Sequence, residues 1–213
     1  MFLLDYLSTR PLPESFEFRL DDGCRALVRH LRPEDAPRLR DGFQQLGKLA
    51  RRRRFHEDVD ELSDEQIAKL VEVDQKDHFA WGALDLNKPD EPGIGVARYR
   101  RLQQEPSAAD VRITIMDHYM GRGAGVLLHA AIHRAAAANG IRTLYFDVLA
   151  DNQRFLTHLQ ALGGEYVGRV VNITRMRLPV YSRAISVPHH RPNNRRFAQV
   201  MRRLSSVPVV TDE

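Results

Sequence analysis

The stretch with the clearest chemistry is a run of three glycines between a predicted strand and a predicted helix. Gly121, Gly123 and Gly125 alternate with Arg122 and Ala124, and an apolar helical pattern follows. A helix start presents about four unpaired N–H groups and a partial positive charge. Glycines let a bulky anion approach that backbone, and they allow the turn that aims several N–H groups at one point. The loop therefore predicts main-chain binding of a phosphate or diphosphate.

Two familiar phosphate-binding loops fit this spacing poorly. A Walker loop ends in Gly-Lys-Ser/Thr, whereas this loop continues as Gly125-Val126-Leu127. A dinucleotide-binding fingerprint has the spacing Gly-x-Gly-x-x-Gly after the first strand of a parallel unit. Here the spacing is Gly-x-Gly-x-Gly, and the loop follows the fourth predicted strand. A tight strand–helix turn that binds nothing stays open as the alternative.

Periodicity and turn residues indicate the elements that must position this loop. Strands are predicted over residues 24–31, 79–86, 94–102, 111–116, 141–149, 166–167 and 170–178. Helices are predicted to begin near residues 33, 63, 125 and 152. The order β-α-α-β-β-β-α-β-α-β-β is neither a simple alternation nor a meander. It therefore indicates a mixed sheet with helices on both faces.

Composition sets the broad class and the domain boundaries. The 213 residues are 43% hydrophobic and 28% charged, with a net charge of +4 that comes mainly from arginine. No apolar run approaches the roughly 20 residues that cross a bilayer. Cys24 is the only cysteine, so no internal disulfide is expected and a cytoplasmic location is predicted. One domain is expected over residues 18–180, between an N-terminal arm at 1–17 and a flexible basic tail at 181–213 that holds a short helix near 197–204.

The loop and the segments around it resemble the GNAT family of N-acetyltransferases. The family motif Gln/Arg-x-x-Gly-x-Gly/Ala falls on residues 120–125, where Gly123 and Gly125 match its glycines and Met120 replaces the usual Gln or Arg. The similarity continues through residues 139–141, 147–152 and 156–163. In the first half, residues 31–35, 53–55, 61–65 and 73–74 resemble the bacterial Pat-type protein lysine acetyltransferases and their stand-alone relatives.

This resemblance implies a fold, an acyl donor and a set of binding residues. The implied fold class is α/β (α+β), the GNAT fold, with a mixed and mostly antiparallel twisted sheet of about seven strands and four helices on both faces. The implied donor is acetyl-CoA, and no metal is expected. The implied binding residues are Thr114, Ile115, Met116, Met120, Gly121, Arg122, Gly123, Ala124, Gly125, Val126 and Asn152.

The resemblance also implies roles for single residues. A bulge in the strand near residues 114–116 would expose an N–H group to the acetyl carbonyl, and Asn152 would contact the pantetheine end of the donor. A plain helix cap is the alternative role of Asn152. Pat-type enzymes place a glutamate base where this chain has Asp110, which could instead be a surface acid at a strand edge. Many members use a tyrosine as general acid where this chain has Leu159.

The resulting hypothesis is an acetyl-CoA-dependent N-acetyltransferase in which an amine attacks the thioester directly. The favoured acceptor is a protein lysine side chain, for example on an acyl-CoA synthetase, and the rival acceptor is a small amine or an N-terminal amine. A catalytically silent acyl-CoA-binding regulatory module and an arginine-rich nucleic-acid-binding protein are alternatives of other classes. The expected partners are acetyl-CoA, the amine acceptor and a second copy in a homodimer, without membrane or nucleic acid.

Two further patterns are predicted to carry no chemistry. His129 and His133 have the spacing of a zinc-binding helix, but they lack the accompanying acid and a third ligand. Both fall opposite Leu128 and Ile132, so we expect them on a solvated helix face. The basic run at residues 51–54 has no aromatic interleaving, so we expect a loop that faces solvent or substrate rather than a nucleic-acid site.

Overall fold

An eight-stranded sheet forms the centre of the structure, a computed structural model that describes residues 12–188 and 192–207. The spatial order of the strands is β1-β2-β3-β4-β5-β6-β8-β7. The strands are β1 Ser15–Arg19, β2 Arg25–His30, β3 His78–Asp85, β4 Gly95–Arg101, β5 Ala108–Ile115, β6 Thr143–Leu149, β7 Glu165–Val170 and β8 Ile173–Pro179. The helices of the described residues are α1 Ala36–Gln45, α2 Lys48–Phe55, α3 Asp64–Val71, α4 Ala124–Ala138, α5 Gln153–Ala161 and α6 Pro192–Ser205. The predicted fold class, a mixed and mostly antiparallel sheet with helices on both faces, is confirmed.

The two faces of the sheet are separated by the alternation of side chains along each strand. In β3, Trp81 lies in the large core under α4, whereas Ala80 packs with Leu31 and Val71 beneath α1 and α3. Alanines such as Ala131 let α4 approach the sheet closely, and this helix contacts β3, β4 and β5. Helices α1 to α3 therefore cover one face, and α4 covers the other.

Local sequence signals set the ends of two of these helices. Ser63 and Gln66 form a capping box at the start of α3, since each side chain bonds the backbone N–H of the other at 3.2 and 2.8 Å. Gly140 follows α4 with a φ of +75°, the left-handed conformation that glycine adopts without strain. The capped start of α3 and the glycine stop of α4 are as predicted.

The antiparallel pairing of β4 with β5 runs in continuous register from Gly95↔Ile115 to Arg101↔Ala109. The bulge expected near residues 114–116 is therefore absent. On the other side, β5 and β6 are parallel for only three pairs, which end at Asp110↔Tyr145. Beyond that pair the two strands part and leave a wedge-shaped opening in the sheet.

The N-terminal arm expected over residues 1–17 is corrected at its end. Residues 15–17 belong to β1, which pairs antiparallel with β2 through Phe16↔Val28. Phe16 and Phe18 are buried and alternate with exposed Glu17, which is the period-two pattern of an edge strand. The nearby prolines and serine had favoured an irregular segment, and β1 is the eighth strand in place of the seven expected. Residues 1–11 lie outside the described residues.

The prediction of a flexible tail over residues 181–213 is also wrong for the described residues of that range, 181–188 and 192–207. Helix α6 lies along α4 and buries Phe197, Met201 and Leu204. Asn194 donates from Nδ2 to the carbonyl oxygen of Ala161 at 2.5 Å. The apolar spacing of this helix is the reason that it docks, because only one face is apolar and that face needs a partner.

The docking of α6 reverses the expectation for two histidines on α4. His129 and His133 are 1% and 0% exposed, because Phe197 covers the helix face that the sequence pattern placed in solvent. His129 Nδ1 lies 3.1 Å from Nε2 of His158, and His133 Nδ1 accepts the backbone N–H of Tyr181 at 3.0 Å. Burial and neighbouring rings favour the neutral imidazoles in this cluster.

The basic run at residues 51–54 is corrected as well. It lies within α2 and makes up half of that helix, rather than forming a loop. Helix α2 ends at His56, whose φ of +64° turns the chain back toward the sheet. In the described ranges, no helix is long and apolar enough to span a membrane.

If α6 is part of the folded core, Phe197→Ala should lower the free energy of unfolding by about 3–5 kcal/mol, the usual loss for a buried phenylalanine. Urea denaturation measures this change. Gln199→Ala, on the exposed side of the same helix, should change stability by less than about 0.5 kcal/mol. Equal and small effects of both substitutions would show that α6 is not docked.

Acid should destabilise the protein through the histidine cluster. Burial and the neighbouring Arg154 lower the pKa of His158 to about 4, and burial and His158 lower the pKa of His133 to about 3. Histidine in the unfolded chain has a pKa near 6.5. Below that pH the unfolded state therefore binds protons that the folded state, with its lower histidine pKa values, does not bind. Stability that is present above about pH 6.5 is therefore lost as the pH falls toward 4.

The variant His158→Gln should flatten this loss. Urea midpoints of the variant and the parent chain, measured from neutral pH down to about pH 4.5, should converge as the pH falls. Curves that stay parallel over the whole range would contradict the assignment.

Candidate functional site

The glycine loop leaves β5, makes a short turn over Asp117–Tyr119 and enters α4 at Ala124. Gly121 and Gly123 have φ values of +80° and +100°, a region that strains other residues. Gly123 is the N-cap and has no side chain, so the first N–H groups of α4 receive no side-chain cap. The N–H of Leu127 donates to the carbonyl oxygen of Gly123 at 3.0 Å. The turn thus presents uncapped main-chain donors at the N-terminus of a helix, where the helix dipole is positive.

Contacts from the rest of the molecule hold this loop in place. The hydroxyl of buried Tyr119 donates to Asp85 Oδ2 at 2.8 Å, and burial and that carboxylate raise the pKa of Tyr119. Arg122 lies over the Tyr119 ring, with its guanidinium carbon 4.5 Å from the centroid, and it forms an ion pair with Asp22. The loop is therefore fixed before any ligand arrives, and Tyr119 has a structural role.

The three loop glycines differ in what an added Cβ atom would contact. A Cβ on Gly123 would lie 2.8 Å from Asp21 Oδ2 and 3.0 Å from Arg196 Nη2, two side-chain ends that can shift, so the φ of +100° is the main reason for glycine at this position. A Cβ on Gly125 would meet only Ile115 Cγ1, at an ordinary 3.8 Å, and a Cβ on Gly121 would meet nothing. The packing of the protein itself therefore does not require glycine at position 125. Close approach of a ligand to this backbone would explain it.

The wedge beside the loop exposes the backbone of β5. The Met116 N–H donates to the Ile94 carbonyl oxygen at 3.0 Å, so even-numbered residues of β5 face β4. Since backbone groups alternate along an antiparallel ladder, the N–H groups of Ile113 and Ile115 point toward the wedge. Of the predicted residues 114–116, only Ile115 therefore offers its N–H to a ligand, and Ile113 joins it. The side chain of Thr114 instead lines a cavity on the α1–α3 face.

A network of acids and arginines spans the base of the wedge. Asp110 belongs to the last β5–β6 pair, and its Oδ1 accepts from Arg175 Nη2 at 2.7 Å. Arg175 also donates from Nη1 to Asp147 Oδ1 at 2.8 Å, while Arg112 donates to Asp147 Oδ2 at 3.1 Å. Burial alone would raise the pKa of Asp147, but Arg175 and Arg112 hold it below its usual value. Asp110 thus stands where the strands part, with one carboxylate oxygen held and directed by Arg175.

Three other expected positions can now be located. Asn152 is the N-cap of α5, and its side chain makes no capping bond to that helix. Met120 is exposed at the outer side of the loop. Leu159 is fully buried in the core and cannot take part in proton transfer. Within the described residues, no group of three or more His, Cys, Asp or Glu side chains could hold a metal ion.

Sequence reasoning missed several residues that the fold brings to the wedge. These are Arg112, Ile113, Asp147 and Arg175, together with His56, whose Nε2 lies 3.1 Å from the Asp147 carbonyl oxygen. Arg112 shares an alternating strand face with Asp110 and Thr114, and that signal was available in the sequence. The contributions of β8 and α2 carried no local signal, because they depend on how distant segments meet.

Comparison with known proteins agrees with this architecture. A family model described as an acetyltransferase (GNAT) domain matches residues 25–165. An acetyltransferase of Pseudomonas aeruginosa is 31% identical over 150 residues, which are 70% of this chain and 79% of that protein. Acetyltransferase Pat of Mycolicibacterium smegmatis is 31% identical over 144 residues, which are 66% of this chain. The chain spans only 41% of the length of Pat.

Solved structures share the fold. The GNAT domain of S. lividans PAT superposes with a TM-score of 0.71 over 78% of this chain and 96% of that domain, at 23% identity. A cAMP-binding acyltransferase from Mycobacterium smegmatis gives 0.57 over 90% of this chain and 56% of its own length, at 25% identity. Spermidine N-acetyltransferase from Vibrio cholerae, solved with CoA and spermine, gives 0.59 over 73% and 95%, at 14% identity.

Substitution of Gly125 by alanine should move stability and ligand binding in opposite directions. Alanine in the first turn of α4 should raise the free energy of unfolding by about 0.5–1 kcal/mol, because glycine is a poor helix former. The added methyl should weaken CoA binding about tenfold or more, equivalent to about 1.4 kcal/mol, if the backbone closely contacts the diphosphate. Urea denaturation and calorimetry measure the two quantities.

Gly168→Ala is the control, since a Cβ there meets nothing within 4 Å and lies away from the loop. It should leave CoA affinity unchanged. A Gly125→Ala variant that binds CoA as the parent chain does would exclude close contact between this backbone and the ligand.

Proposed function

The chain belongs to the GNAT family of acetyltransferases, and on that premise we propose that it moves an acetyl group from acetyl-CoA to an amine nitrogen in a ternary complex. The observation that carries the proposal is the junction of two backbone sites. An uncapped, glycine-lined helix N-terminus lies next to a strand whose N–H groups at Ile113 and Ile115 face an opening in the sheet. A long ligand with a diphosphate near its middle and a polar, amide-containing arm fits both sites at once.

Each backbone site has a distinct chemical task. The N–H groups of residues 122–126 bind the diphosphate, where the helix dipole favours negative charge. The N–H groups of Ile113 and Ile115 bind the pantetheine arm and the thioester carbonyl. A donor aimed at that carbonyl stabilises the negative charge that develops on its oxygen as the amine attacks, an effect worth about 2.7–4 kcal/mol in other enzymes.

The transfer itself needs a neutral amine. A lysine-type amine has a pKa near 10.4, so its neutral form costs roughly 4–5 kcal/mol to reach at pH 7. Asp110 accepts that proton, directly or through one water, since its second oxygen is not engaged by Arg175. The nitrogen then bonds to the acetyl carbon and gives up its second proton to water, the carbon–sulfur bond breaks, and the thiolate of CoA takes a proton from water. Leu159, at the position where many family members carry a tyrosine acid, cannot supply that proton.

Two classes of acceptor are compatible with this reaction. Similarity to Pat favours a protein lysine side chain, for example on an acyl-CoA synthetase acting in the cytoplasm, and a small amine is the rival. The activity of the whole Pat protein is not carried over, since this chain aligns with 41% of it. A silent acyl-CoA-binding module is the alternative of another class, and binding of acetyl-CoA without turnover on any amine would favour it.

If Asp110 is the base, Asp110→Asn should lower kcat about a hundredfold while CoA affinity stays within about twofold, because general-base catalysis contributes 10²–10⁴-fold and Asp110 lies away from the diphosphate loop. Steady-state kinetics by thiol release and calorimetry with CoA check the two halves. Asp41→Asn, an exposed acid on α1, is the control and should behave as the parent chain does. An unchanged kcat in Asp110→Asn would eliminate the role.

A further inference from the structure

The cavity on the α1–α3 face of the sheet is lined by apolar side chains and by arginines. Its volume is about 90 Å³, which is room for several water molecules or a small ligand. Leu39, Phe43 and Leu62 are among its apolar lining residues. Its charged lining residues are Arg38, Arg54, Arg98 and Arg112, and no aspartate or glutamate is among the described residues that line it.

These arginines are compensated unequally. Arg38 donates to the carbonyl oxygens of Pro89 and Glu91, and Arg98 donates to that of Leu70 at 2.6 Å. Arg112 pairs with Asp147. Arg54 has only the ring of Phe55, 4.9 Å below its guanidinium carbon, and no acid or carbonyl partner in the described part of the chain. The Arg54 side chain is only partly buried, so solvent can reach its guanidinium, and an anionic ligand would replace that solvent with charge-assisted hydrogen bonds.

The positive groups also act on one another. Burial and the charge of Arg112 lower the pKa of Arg54 to about 10, and burial and the charges of Arg54 and Arg100 lower that of Arg98 to about 9. Arg54 and Arg98 both remain charged near neutral pH. An ammonium ion that enters this cavity alone is repelled, whereas a carboxylate is attracted and can be held bidentately.

The cavity adjoins the proposed reaction centre. Arg98 and Arg112 line both the cavity and a neighbouring groove that holds Asp110, and Thr114 of β5 lies in the cavity wall. A ligand can therefore place an anionic group near Arg54 and an amine near Asp110 and the wedge. The same positive surroundings favour the neutral, nucleophilic form of that amine.

We propose that the acceptor is a small amine that carries its own carboxylate on an apolar body, and that Arg54, supported by Arg98 and Arg112, binds this carboxylate. The inference rests on the proposed N-acetyltransferase function and narrows its acceptor. It favours the small-molecule acceptor over an isolated lysine side chain, whose only charge is positive.

The test uses the full chain saturated with CoA and a pair of probes with the same branched shape. Isovalerate carries the carboxylate, and isovaleramide replaces it with a neutral amide. Saturation-transfer NMR titrations should show isovalerate bound at least about tenfold more tightly, equivalent to about 1.4 kcal/mol. Arg54→Gln should abolish that preference, and Arg54→Lys should retain part of it because the charge remains.

Arg52→Gln is the matched control, because Arg52 lies on the same helix with its side chain exposed. It should bind both probes as the parent chain does. Equal binding of the two probes to the parent chain, no binding of either probe, or an undiminished preference in Arg54→Gln would each overturn the proposal.

A second experiment distinguishes two sources of the bound carboxylate. It could belong to the acceptor, as proposed, or to the acyl group of the donor. Isovalerate should bind as well to protein saturated with succinyl-CoA as to protein saturated with CoA. Displacement of isovalerate by succinyl-CoA would assign the anion to the donor and reject the proposal. The initial CoA titration reports on the proposed function separately, since its failure removes the donor site while leaving isovalerate binding to Arg54 measurable.

Discussion

The structure depends on the point at which two parallel strands stop pairing. Strands β5 and β6 share three pairs and then diverge after Asp110 and Tyr145. A sheet interior normally leaves no backbone group unpaired, because a buried donor without a partner is costly. Here the continuous register with β4 satisfies one side of β5, and the wedge leaves the other side open. The open donors of Ile113 and Ile115 can be satisfied by an extended polar ligand, and the helix that follows the loop places its N-terminus beside them.

Elements at the two ends of the chain complete this framework. Strand β1 begins before the region that the family model matches, and α6 lies wholly beyond it. The turn after β1 brings Asp21 and Asp22 to Gly123 and Arg122, so an outer hairpin fixes the loop. Helix α6 seals the outer face of α4 and encloses three histidines in an apolar environment. The same helix therefore links loop geometry, core packing and sensitivity to acid.

The two ends of the acceptor side differ in net charge: one is compensated and the other is positive. At the base of the wedge, two carboxylates and two arginines compensate one another, which holds Asp110 in a defined orientation. In the adjoining cavity, arginines face apolar side chains without acids. Such a gradient orients a molecule that has an amine at one end and an anion at the other, because each end has one favourable location. Electrostatic complementarity of this kind supplies specificity more than raw affinity.

Local residue order alone determined the glycine loop, the helix after it and most strands, because those features depend on neighbours: glycine's tolerance of positive φ, the period of apolar residues, and the cap at Ser63. Alternation along one strand also placed Asp110, Arg112 and Thr114 on a common face. The tertiary structure decided everything that requires distant segments to meet. It turned the expected bulge into a strand separation, placed Arg175 and Asp147 around Asp110, and made α2 a wall of a cavity. It also buried His129 and His133, since a helix face that is polar in isolation becomes interior once a distant apolar helix has no other partner.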